Sequence, residues 1–107
     1  MSVKIGVVNT FPEVYPDKEQ ALKVLEESAE VFGAWQEWAI WDAKTSTAEN
    51  TYAASVHAYD TKNYLFEECA DVIQAVCNLL AALGVEDFTE WMQVVEEKNR
   101  DRGRYGL

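Results

Sequence analysis

Glu67-Glu68-Cys69-Ala70-Asp71 is the stretch of this chain best suited to chemistry. At about 100° per residue, Leu65, Val72, Val76, Leu79 and Leu83 fall together on a helix, and Cys69, Ile73 and Leu80 widen that face. Opposite them runs a narrow polar stripe of Glu67, Glu68, Asp71, Gln74 and Asn78. A helix this apolar is expected to be covered, so its carboxylates point into a cleft rather than bulk water. Half-buried carboxylates are costly without a cation. No Lys or Arg follows Lys62 on the helix, so the cation is expected from outside it, with a metal ion the leading candidate.

A second acidic pair, Glu27 and Glu30, stands at i and i+3 on an earlier helical stretch, with Glu26 and Glu37 further round. Two such pairs converge if their helices pack antiparallel. Carboxylate oxygens are hard ligands suited to Mg²⁺ or Mn²⁺. A di-iron bundle wants Glu-x-x-His pairs, and the single histidine, His57, lies between the two pairs. Oxygen-only ligation points instead to phosphates, whose oxygens a divalent ion bridges.

These carboxylates need elements to position them. Asp17 is a plausible N-cap with Gln20 three residues on. The helix from Lys18 to about Trp41 places Leu22, Leu25, Ala29 and Phe32 on one line, broadened by Val24, Val31, Trp35 and Trp38. That arc is wider than a surface helix needs. It predicts cover on two sides, by the chain itself and by a second subunit. Gly33 weakens this helix by roughly 1 kcal/mol relative to Ala. Residues 42 to 60 read as a connection with a short helix over about 48 to 58. Asp60 or Thr61 then caps a second long helix to about Leu83, with Gly84 ending it. A third helix, about Val85 to Asn99, turns Phe88, Trp91, Met92 and Val95 inward. Residues 3 to 8 read as a short strand or an extended arm. The expectation is one all-α domain over 1–107, a helical bundle of antiparallel long helices and a shorter third helix, completed by homo-oligomerisation as a dimer or tetramer.

Composition narrows the function classes. Hydrophobic residues at 49% argue for a folded chain. Nineteen acidic residues against nine basic give a net charge of −10, which disfavours nucleic acid, because that affinity depends on Lys and Arg neutralising phosphates. No run approaches the about 18 apolar residues of a membrane span, and the N-terminus does not read as a secretory leader. Cys69 and Cys77 lie eight apart on one helix, too far to be bridged. Both read as reduced core residues of a cytoplasmic protein.

Glu27-Ser-Ala-Glu30 followed by Glu68-Cys-Ala-Asp71 resembles the ExxE…ExxD signature of the all-alpha nucleoside triphosphate pyrophosphohydrolases. That superfamily includes the MazG-like enzymes and phosphoribosyl-ATP pyrophosphohydrolase. The surrounding words Leu-Glu-Glu-Ser-Ala-Glu-Val and Glu-Glu-Cys-Ala-Asp-Val-Ile are similar too, as is Asn78 seven residues after the aspartate. The tail from Glu97 to Arg104 resembles the basic tail of small members, and the likeness runs over about residues 17 to 104. The gap from Glu30 to Glu68 looks longer than in compact members, and residues 42 to 63 are expected to hold the extra segment.

The resemblance implies Mg²⁺-dependent hydrolysis of a (d)NTP between its α- and β-phosphates, giving a monophosphate and pyrophosphate. Glu27, Glu30, Glu68 and Asp71 would hold one or more ions, and one of them, or Glu26 or Glu67, would orient or deprotonate water. Lys98, Arg100 or Arg102 would hold phosphates from the far side, and Asn78 the sugar or base. Phosphoribosyl-ATP is the alternative substrate. A non-catalytic acidic helical module binding a basic partner is the alternative class.

Overall fold

The computed structural model describes residues 1–47 and 49–106. Among them three helices form in chain order: α1 over Lys18–Lys44, α2 over Thr51–Ala82 and α3 over Thr89–Asp101. The expected all-α architecture is what forms, and the N-terminal residues lie as an arm without strand structure.

α1 starts where its cap residue dictates. Asp17 has extended backbone and its carboxylate accepts from the Gln20 amide at 2.9 Å, satisfying one donor of the first turn. Gly33 does not interrupt the helix. α1 and α2 then pack as an antiparallel hairpin: Glu27 faces Glu68 near one end, and Trp41 stacks on His57 at a centroid distance of 4.2 Å near the other.

The expected connection over 42–60 is corrected. α1 runs on to Lys44, and α2 begins at Thr51, so only residues 45–50 connect them. Ala48, the first residue of the expected short helix, lies outside the described residues. Asn50 caps α2 by accepting from the Ala53 amide at 3.0 Å. Thr61 sits inside the helix, donating back to the carbonyls of His57 and Ala58 at 2.7 and 3.2 Å. Residues 42–44 and 51–63 therefore belong to the two arms of the hairpin instead of forming a separate loop. Small residues made this stretch look aperiodic, yet Ala54 and Ala58 are two of its buried contacts. At the far end Gly84 adopts φ +84°, and the Val85 amide donates to the Leu80 carbonyl at 2.9 Å, closing α2 with a Schellman turn.

The core is thin. Among the described residues the buried apolar side chains are Ala34, Ala54, Ala58 and Ala75, which lets the two backbones approach closely. The inner face of α1 is built from Val24, Val31, Ala34, Trp38 and Trp41, all half-buried or buried. The expected line of Leu22, Leu25, Ala29 and Phe32 faces the other way: Leu25 is 66% and Phe32 60% exposed. Cys69 is exposed and Cys77 half-buried, both free. The core reading of Cys69 is thus corrected, because it lies at the open edge of the α1–α2 contact rather than within it.

α3 packs against neither α1 nor α2. Phe88, Trp91, Met92 and Val95 share one face, as expected, but that face is open to solvent instead of turned inward. The radius of gyration is 17.8 Å, against about 13 Å for a compact chain of this length.

Candidate metal centre

Hairpin geometry brings the two acidic pairs together. Glu27 from α1 and Glu68 and Asp71 from α2 each place a carboxylate oxygen within 4.8 Å of the others. Glu68 is buried at 6% exposure, the Glu27 side chain is 12% exposed, and Asp71 opens to solvent. Glu30, one turn on from Glu27, stands beside the cluster at the surface. Its carboxyl is pushed above the ordinary value of 4.5, first by hydrogen bonding and charge from Glu27, then by Glu68 and partial desolvation. Glu26 and Glu67 are exposed; Glu26 lies 3.7 Å from the Lys23 ammonium.

Two partners of the cluster were not singled out from the sequence, although helical spacing carried the signal. Lys23, four residues before Glu27, places its ammonium 3.2 Å from the Glu27 carboxylate. Tyr64, four residues before Glu68, has its phenol pushed up by hydrogen bonding to and charge on Glu68. Residues at i and i+4 are neighbours on a helix surface. Neither satisfies the innermost atom: Oε2 of Glu68 is fully buried and accepts no hydrogen bond among the described residues.

That orphaned oxygen is the test of whether a cation fits. A buried carboxylate oxygen without a donor is a rare and costly feature. It belongs to a carboxylate that has two further carboxylates within 4.8 Å, whose charges repel it. Divalent Mg²⁺ or Mn²⁺ takes oxygen ligands from more than one carboxylate, so the donor set fits a hard ion and lacks the nitrogen or sulfur that Zn²⁺ sites favour.

The remaining expected site residues lie elsewhere. Asn78 is buried two turns beyond Asp71 on α2, and its Oδ1 accepts from the Phe11 amide at 3.1 Å and from Gln74 Nε2 at 3.0 Å. Gln74 also donates to the Asn9 carbonyl at 3.0 Å, so the pair straps the N-terminal arm to α2. Lys98 on α3 and Arg102 at its end are exposed, and α3 does not bring them to the carboxylates. Beside the cluster, Ser28 and Val31 of α1 face Cys69, Val72 and Ile73 of α2 across a shallow apolar groove.

No protein-family model, no curated protein and no solved structure matches the chain.

Proposed function

We propose that the chain is a Mg²⁺-dependent nucleotide pyrophosphohydrolase, hydrolysing a (d)NTP to a monophosphate and pyrophosphate. The observation that carries this reading is the convergence of one carboxylate oxygen each from Glu27, Glu68 and Asp71 within 4.8 Å, with Glu68 buried and one of its oxygens unpartnered. The ExxE…ExxD words supply the reaction class, as a resemblance. Glu27, Glu68 and Asp71 would hold the ion, with Glu30 at the open side. When bound, Mg²⁺ supplies charge neutralisation for phosphate oxygens that the carboxylates would otherwise repel.

The chain's own groups do the rest. Water attacks phosphorus, the bridging P–O bond breaks, and pyrophosphate leaves with the bridging oxygen. Glu30 would be the carboxylate to take the water's proton, since neighbouring negative charge raises its proton affinity. The apolar groove beside the carboxylates offers a flat face to a nucleobase. Free cysteines fit a reducing, cytoplasmic setting.

The deciding experiment is pyrophosphate release from a dNTP panel with Mg²⁺, wild type against Glu68→Ala. The reading requires Mg²⁺-dependent release that falls at least about a hundredfold in the variant, in line with losing a metal-orienting ligand. No release from any nucleotide, together with no Mg²⁺-induced thermal shift, would sink it.

A further inference from the structure

We infer that α3 of one copy packs its apolar face onto the outer face of α1 in a second copy, reciprocally, so that two chains complete one another's helical layer. Among the described residues, neither surface has a partner within its own chain. On α1 the outer seam is Leu22, Leu25, Ala29, Phe32, Gln36 and Ala39, spaced alternately three and four apart. That is the repeat by which one helix receives another. On α3, Phe88, Trp91, Met92 and Val95 form a stripe of the same kind, with Trp91 54% exposed. An amphipathic helix of 13 residues gains little from propensity alone and depends on burying such a face.

Area and charge select a second copy as the occupant. The chain exposes 8613 Å², about 2,600 Å² more than a compact monomer of 12.1 kDa. The extended N-terminal arm, with Met1, Val3 and Val7 exposed, accounts for part of this excess, and the α1 and α3 faces share the remainder, against the roughly 800 Å² that a stable interface takes from each partner. Glu19, Glu26 and Glu37 border the α1 seam, so two α1 helices laid against each other would bring like charges together. On α3, Lys98 and Arg102 lie along one edge of the stripe and complement those glutamates, while Glu96 on the other edge is held 3.6 Å from Arg100 of its own helix. An interface in which α3 meets α1 and α1 meets α3 is self-complementary and closes as a two-fold dimer. It assigns Lys98 and Arg102 to the interface rather than to phosphate, and it stands or falls independently of the proposed catalysis.

The test is sedimentation of the full chain, followed by carbodiimide coupling in a mixture of light and ¹⁵N-labelled copies. A dimer at micromolar concentration is expected, with mixed-isotope links from Lys98 to Glu19, Glu26 or Glu37. Trp91→Glu and Phe32→Glu should each weaken dimerisation by at least about 30-fold, as loss of a buried aromatic anchor does. Both side chains are exposed within one chain, so the α1–α2 hairpin should persist with unchanged helical circular dichroism over α1 and α2. A monomer at all concentrations overturns the inference. So do Lys98 links confined to one copy, which would mean that α3 folds back on its own chain, and a dimer that both variants leave at wild-type affinity.

Discussion

Glu68 combines two features that stability alone does not favour: a carboxylate sealed from water, and two further carboxylates within 4.8 Å. Removing its charge while keeping its shape therefore separates function from folding. In chelator, Glu68→Gln should stabilise the protein by on the order of 1 kcal/mol, since an unsatisfied buried acceptor is relieved. For a chain of this size that is about 4 °C in Tm. The same variant should lose most of the Mg²⁺-induced thermal shift, whereas destabilisation by Glu68→Gln would mean that Oε2 of the native carboxylate has a protein donor. Glu30 gives the pH counterpart. Its carboxyl titrates above 4.5 when folded, chiefly because of Glu27, so the native state binds its proton more tightly than the unfolded chain. The resulting stability is present below pH 4.5 and lost as pH rises through the raised value. Thermal melts in chelator from about pH 4 to 7 should show this loss in wild type, with a shallower fall in Glu30→Gln.

At the level of the helices, the hairpin holds its carboxylates in register through small residues. Ala34, Ala54, Ala58 and Ala75 leave no room between α1 and α2, so Ala54→Leu should cost about 1–3 kcal/mol by overpacking, measured by urea unfolding. A Leu tolerated there without loss would show that the helices are looser than described. The same alanines explain what could be read beforehand. The Asp17 cap, the Gly84 stop and the two acidic pairs were legible because each rests on local spacing or a special backbone need. The start of α2 was not, since Tyr52 to Tyr59 mixes alanine with exposed aromatics and shows no clean apolar period. Which side of the α1 arc meets α2 was not legible for a related reason. Its most apolar line, Leu22 to Phe32, is the outer one, while alanine, tryptophan and the glutamates themselves line the inner side. Apolar periodicity finds a buried face without saying what buries it.

For the molecule as a whole, a net charge of −10 gives any cation some stabilising effect through general screening, and this must be distinguished from specific binding. Screening depends on ionic strength and is indifferent to one oxygen atom on Glu68. A bound divalent ion stabilises according to its concentration relative to Kd, about 2.7 kcal/mol at a hundredfold excess. Mg²⁺ at millimolar concentration should therefore raise Tm well beyond NaCl of matched ionic strength. Glu68→Gln should bring the two salts close together, while substitution of the exposed Glu90 on α3 should leave the difference between them intact. Equal shifts from Mg²⁺ and matched NaCl in wild type would reduce the carboxylate cluster to an acidic patch on an acidic protein. A surplus that survives Glu68→Gln would place the ion somewhere other than between α1 and α2.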